Sequence, residues 1–406
     1  MMKFYIQMGH GMEQMCRELS SLWNGATVIL SPLNIIEKKL PVFAQSMREL
    51  NGKVLLDPQI YTPRKFHKNL QKYSYWPQTD ITNIELGDYE EVLKSLNNIN
   101  NLIQSESFIL PSNTIGRVDD LWNKVQISIS SQAKNIIKDK KLIHTIALKG
   151  DVLSDEVQIE KIIQYCNQWD VQGVYIVCEH PKSDYLVDIP IWITNLLMLV
   201  AGIKRQGKTV IVGYSNHQML CLALAKCDAI ASGNYLNVRW FKPDRFETIE
   251  DNEEKSRRAK WYYCPQAFSE YKIQYLDVAK RLDEDRNLNL LISMQPPERM
   301  ANRYSQMLFE GAIPSSTNYG ESNSHRHYLH CLKTQCEMAG RTSYEETKNA
   351  HLALLETALR LTTGLRNEGI KGQDRDFNEI VDVIEAAISI FDKEYGFSLS
   401  NEWKTL

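Results

Sequence analysis

Short apolar runs recur along the chain, each followed by a stretch long enough for a helix. Residues 26–30, 54–56, 107–110, 144–148, 174–177, 209–212 and 228–231 are too brief for helices, and most of their connections suit helical crossovers between parallel strands. A weaker run at 81–86 brings the count to eight. Eight strands with intervening helices predict an α/β chain folded as a (β/α)8 TIM-type barrel in preference to a doubly wound open sheet. Residues 344–361 place Leu352, Leu355, Ala358 and Leu359 on one helical face, and 377–391 do the same with Ile380, Val383, Ile384 and Ile388. The expected organisation is a barrel over 1–241, an inserted basic and aromatic segment over 242–330 near the eighth strand, and C-terminal helices over 331–406 that complete the barrel.

The chain is organised around residues 52–64. Gly52 opens a run that ends in Asp57-Pro58, so it reads as a buried parallel strand with a carboxylate at its C-terminal lip. Barrel enzymes carry their chemistry there. Pro58 and Pro63 stiffen the loop that presents Asp57, Gln59, Tyr61 and Arg64; the plainer alternative is that Asp57 caps the next helix. Other runs also end in polar groups: Ser31, Ser112, Lys149-Gly150-Asp151, Cys178-Glu179-His180, the segment from Gly213 to His217, and the segment from Ser232 to Tyr235. In a barrel these ends converge on one mouth.

Composition narrows the field. The 406 residues are 43% hydrophobic and 24% charged, with net charge -3 and a pI near 6.3, so the chain is not a generally basic nucleic-acid coat. The longest apolar run, 189–203, is broken by Thr194 and Asn195, which predicts no membrane span; the first residues lack a signal-peptide core, and a cytoplasmic protein is expected. Eight scattered cysteines include no C-x-x-C pair and predict buried free thiols. Between 242 and 286, Arg257, Arg258 and Lys260 interleave with Trp261, Tyr262 and Tyr263, a pattern that suits a phosphate backbone and unstacked bases, or else a solvated helix face with packed rings. His325, His327 and His330 lack accompanying carboxylates or thiolates at ligand spacing and read as a surface cluster. Phosphate-loop, dinucleotide, zincin and nucleophile-elbow motifs are absent.

The order of a strand followed by Asp57 and Tyr61, then Lys149-Gly150, then Gly173 to Ile176, then Val212-Gly213 leading to Ala225 through Ile230, resembles the tRNA-guanine transglycosylase superfamily. The segment Arg326-His327-Tyr328-Leu329-His330, followed by Gly340, is similar to that family's Arg-x-Tyr-Leu-His segment. The resemblance implies a (β/α)8 barrel acting on the N-glycosidic bond of a base in a polynucleotide. It places Asp57 where the family has the aspartate of its Asp-Ser-Gly-Gly motif, and Tyr61 where an aromatic stacks on the base. Two departures matter. Ala231 stands where the family has its covalent carboxylate nucleophile, and no thiols occupy the zinc-binding stretch near 318–324, so neither metal nor cofactor is expected.

Without that nucleophile, water is the simplest acceptor for the sugar. The expectation is therefore a hydrolytic glycosylase releasing a modified base, from DNA in preference to tRNA, as in the superfamily branches that act on DNA, including those that excise modified bases from phage DNA. Asp57 would stabilise the oxocarbenium-like sugar and handle the water, and Glu179 would assist the leaving base; Glu179 equally suits an exocyclic group of the base or an ion pair with Lys149 or Arg239. The base must be unpaired or flipped. Tyr61, Tyr214 and Tyr235 are candidates to stack on it; Gln59, Lys149, His180, Asn216, His217 and Asn234 are candidates to read it. Arg64, Arg239, Arg257, Arg258, Lys260 and Arg326 are the expected phosphate contacts. Base exchange using Glu179 or Asp228 as a displaced nucleophile, and an inactive nucleic-acid-binding barrel, are the alternatives.

Overall fold

A computed structural model describes residues 1–63, 67–77, 88–247 and 259–406. Eight parallel strands form its centre: β1 (Lys3–Gln7), β2 (Thr27–Leu30), β3 (Lys53–Leu56), β4 (Ser107–Ile109), β5 (Lys141–Leu148), β6 (Gly173–Cys178), β7 (Thr209–Val212) and β8 (Ala229–Ser232). They lie in the order β3-β2-β1-β8-β7-β6-β5-β4, each neighbour paired in parallel. The two edges meet, with the Glu106 amide donating to the Val54 carbonyl at 3.0 Å, so the barrel is nearly closed. Strands such as β6, every residue of which is buried, read as continuous apolar runs because both faces are covered.

One strand differs from expectation. The eighth is Lys3–Gln7 at the start of the chain, whose mixed sequence hides it, while the 81–86 candidate lies outside the described residues. Hydrogen bonding explains its place: β1 pairs with β2 on one side and β8 on the other, so it bridges the first and last parts of the barrel.

The crossover helices are α1 (Glu13–Leu22), α2 (Leu40–Arg48), α3 (Glu90–Ile103), α4 (Asp120–Ile136), α5 (Glu156–Cys166) and α6 (Pro190–Lys204). Asp119 and Asp155 cap α4 and α5 by accepting from the Trp122 and Val157 amides. Between β7 and β8 the outer helix is replaced by a wholly buried 3-10 stretch, His217–Ala225. Beyond β8 come the antiparallel hairpin β9 (Trp261–Cys264) and β10 (Ser269–Lys272), then α7 (Ile273–Arg286) and α8 (Leu290–Met294). These build a small second core around Tyr262, Tyr271 and Leu276.

Helix α9 (Glu321–Ala339) then returns to pack on β1, taking the place of the barrel's last helix. The final pair, α10 (Tyr344–Asn367) and α11 (Ile380–Glu402), extends both helices expected from the sequence. Packing of α11 along α6 explains why α6 is apolar all round, with Trp192 to Lys204 buried without a break. Among the described residues no helix is long and apolar enough to cross a membrane, and all eight cysteines are free and buried.

Candidate functional site

Asp57 follows β3 into the C-terminal end of the barrel, where its carboxylate is fully buried. Tyr61 Oη lies 2.9 Å from both carboxylate oxygens, and the Gln59 amide donates at 3.0 Å. Tyr214 Oη, from the end of β7, approaches at 3.2 Å, and Tyr175 Oη, from β6, stands at 3.4 Å while also lying 3.0 Å from Gln7 Oε1. One carboxylate is thus held by groups from the ends of β3 and β7 and from within β6. The Gln59 side chain ties this cage to the neighbouring loop, donating to Ser31 Oγ at 2.8 Å and Tyr214 Oη at 2.9 Å and accepting from the Leu33 amide at 2.9 Å.

The backbone is bent to make the cage. Gln59 (φ 55°) and Tyr214 (φ 50°) both adopt left-handed conformations, which cost non-glycine residues energy and concentrate at functional sites. Gly213 leaves room for the Tyr175 ring, since a Cβ there would fall 2.3 Å from Tyr175 Oη and force it to shift. Burial pushes the Asp57 carboxyl up to about 6, against the opposing pull of its hydrogen bonds from Tyr61, Gln59, Tyr214 and Tyr175. The same burial and the adjacent Asp57 raise Tyr61, Tyr175 and Tyr214 well above the usual phenol range.

Two phenylalanines close the mouth. Phe241 and Phe246 lie 4.9 and 4.8 Å from the Tyr61 ring, centroid to centroid, and 5.4 and 6.2 Å from Tyr214. Tyr61 and Tyr214 therefore differ from the stacking platforms expected of them: their hydroxyls hold Asp57 and their rings are covered by phenylalanine.

The remaining expected residues divide. Glu179 is half-buried at the exit of β6, where it accepts from the Gly150 amide at 3.2 Å; it pairs with neither Lys149, which is exposed, nor Arg239. His180 is packed between Trp192 and Trp240 with its Nδ1 3.1 Å from the Asp184 carbonyl, and His217 is buried among Tyr185, Tyr263, Phe268, Tyr328 and Phe377. Burial pushes both imidazoles down to about 4. Asn216 caps the 3-10 stretch, accepting from the Gln218 amide and donating to the Tyr185 carbonyl. These three serve the interior.

Among the expected phosphate contacts, Arg239 is buried, with an ion pair to Glu270 at 3.1 Å and its guanidinium 3.5 Å over the Tyr328 ring. Arg326 is spent on Glu18 of α1 at 2.6 Å, which pins α9 to the barrel. Lys260 is exposed, and Arg64, Arg257 and Arg258 lie outside the described residues. Tyr262 and Tyr263 are buried strand residues, so this part of the interleaved pattern is packing.

Asn234 and Tyr235 do open onto a cavity. It measures about 450 Å³ and is also lined by His10, Trp261, Glu270 and Arg375. A second cavity of about 700 Å³ shares His10 and lies against Leu33, Ile35, Lys72 and Tyr73. Asp57 lines neither. Glu270 and Arg375, which pair at 3.0 Å across a long stretch of chain, sit in no local motif, and Tyr175 reads as an ordinary core residue. Among the described residues no group of His, Cys, Asp and Glu is arranged to hold a metal ion.

No protein-family model matches the chain, and no curated protein matches it. Solved structures give distant likenesses. Thiamine phosphate pyrophosphorylase from Pyrococcus furiosus matches at 10% identity and TM-score 0.31, covering 60% of this chain and 90% of that one. Active domain 2 of the thermostable chitinase from Pyrococcus furiosus matches at 11% identity and TM-score 0.34, covering 60% and 91%, and a hyperthermophilic chitinase catalytic domain from the same organism matches at 11% identity and TM-score 0.33, again covering 60% and 91%. Likenesses this weak carry nothing about chemistry.

Proposed function

We propose that this chain is a hydrolytic N-glycosylase of the tRNA-guanine transglycosylase superfamily that releases a flipped, modified base from DNA and leaves an abasic site. The observation that carries the reading is Asp57, a fully buried carboxylate at the C-terminal end of the barrel, caged by Tyr61, Tyr175 and Tyr214. Such a group is built to face positive charge. As the C1′–N bond breaks, its electron pair leaves with the base and the sugar becomes oxocarbenium-like; the carboxylate stabilises that charge and takes the proton of the attacking water. Glu179, at the exit of β6, is the residue assigned to protonate the departing base.

Two features favour water over a covalent intermediate. Ala231 in β8 supplies no nucleophile, and Asp228 precedes β8, bonded to Lys204 at 2.9 Å at the far end of the strand. Phe241 and Phe246 occupy the space above the cage, so the flipped base displaces them when it enters. The test is incubation with single-stranded DNA carrying modified or unmodified bases, followed by alkali. Strand scission at the modified position supports hydrolysis; incorporation of labelled free base without scission supports exchange instead.

A further inference from the structure

Five separate segments converge on the 450 Å³ cleft: the loop after β1 (His10), the loop after β8 (Asn234, Arg239), the β9–β10 hairpin (Trp261, Glu270), the first turns of α9 (Glu321, His325) and the α10–α11 connection (Arg375). Its charges balance, with Arg239 and Arg375 against Glu270 and Glu321, so the walls present no net field for a bare anion. They present flat surfaces instead. The Arg375 guanidinium lies 3.9 Å over the Trp261 ring, and the Tyr235 and His325 rings meet edge to face at 4.7 Å.

Rigidity is built in beneath these surfaces. Glu270 accepts from both arginines and from Tyr185 Oη at 3.1 Å, which fixes the guanidinium planes. Asn234 is buried with its Nδ2 donating to the His10 carbonyl at 3.2 Å, while its Oδ1 has no partner among the described residues. A cleft with planar walls and both donors and acceptors at its edge matches a planar, neutral ring that carries donors and acceptors of its own.

We propose that this cleft binds a nucleoside unit, an unstacked neutral nucleobase with its sugar. On a polynucleotide it would hold a nucleotide beside the one whose base enters the Asp57 cage; that placement rests on the glycosylase reading, whereas the cleft's affinity for nucleosides does not. Guanidinium and aromatic planes of this kind stack bases in single-stranded nucleic-acid sites.

The experiment titrates the full chain with each of the four 2′-deoxynucleosides by calorimetry or saturation-transfer NMR, with inorganic phosphate and methyl glucoside as separate probes. At least one nucleoside binds, and Trp261→Ala and Arg375→Lys each weaken it about tenfold or more, since base stacking is worth roughly 1–3 kcal/mol. Arg375→Lys keeps the charge and loses the plane. His10→Ala, at the exposed rim, serves as a third variant should either of the others fail to fold, and it too weakens binding. Absence of nucleoside binding, saturation by phosphate or glucoside in its place, or unchanged affinity in the folded variants overturns the proposal. Nucleoside binding without base release refutes the glycosylase reading alone; base release without nucleoside binding refutes this inference alone.

Discussion

Replacing Asp57 by Asn tests its buried charge without reference to any substrate. In the folded chain burial raises the carboxyl from 3.8 to about 6, so at neutral pH folding works against an ionised group cut off from water. At 1.36 kcal/mol for each tenfold change in proton affinity, the rise corresponds to about 3 kcal/mol. The sign follows from proton counts. Between pH 3.8 and about 6 the folded state holds the proton that the unfolded state has lost, so Asp57 favours folding most at low pH and progressively less as pH rises through 6. The Asn variant has no such dependence. The difference in unfolding free energy, variant minus wild type, should therefore rise by about 2 kcal/mol between pH 4 and pH 7, whatever constant offset the amide's altered hydrogen bonding with Tyr61 and Tyr214 introduces. Urea unfolding at four or five pH values measures it, and titration of other groups cancels in the difference. A flat difference would show instead that the carboxylate is solvated or paired with a cation.

Gly213→Ala forces a methyl group against Tyr175 and should cost about 1–3 kcal/mol in urea unfolding, with a matching loss of base release as Tyr175 is pushed off Asp57. Glu270→Gln leaves Arg239 and Arg375 without their shared carboxylate and should cost about 3–5 kcal/mol at pH 7. Although burial raises it, Arg375 and Arg239 hold Glu270 down to about 2, so wild type should lose stability as pH falls from the ordinary glutamate range toward 2, and the Gln variant should lose less over that window. Phe246→Ala removes part of the cover over the cage; it should destabilise the chain by about 3 kcal/mol and lower KM for the modified strand, read from steady-state abasic-site formation.

The barrel was legible because parallel strands buried on both faces leave short, mostly apolar runs, and seven of the eight strands coincide with one. The exception, β1, carries Lys3 at its entry and Gln7 at its exit, where the amide faces Tyr175 inside the barrel; a polar residue on an inner face defeats a pattern based on hydrophobicity. Asp57 was visible because a carboxylate and a proline follow an apolar run. Tyr175 was not, since a tyrosine inside a run such as Gly173–Cys178 reads as core and only its hydroxyl distinguishes it. The same ambiguity affected Tyr262 and Tyr263, whose neighbouring charges suggested a solvent-facing binding strip although both rings are packed. The Arg239–Glu270–Arg375 cluster joins segments remote in sequence, and no local spacing announces it.

In the proposed reaction Asp57 carries out base release with water as the acceptor. The most direct measurement compares wild type and Asp57→Asn for alkali-labile sites in single-stranded DNA bearing modified bases, with labelled free base present. Wild type should produce abasic sites without incorporating label, and the folded variant should fall by on the order of 100-fold or more. Full activity in Asp57→Asn, or incorporation of label by wild type without strand scission, would contradict it.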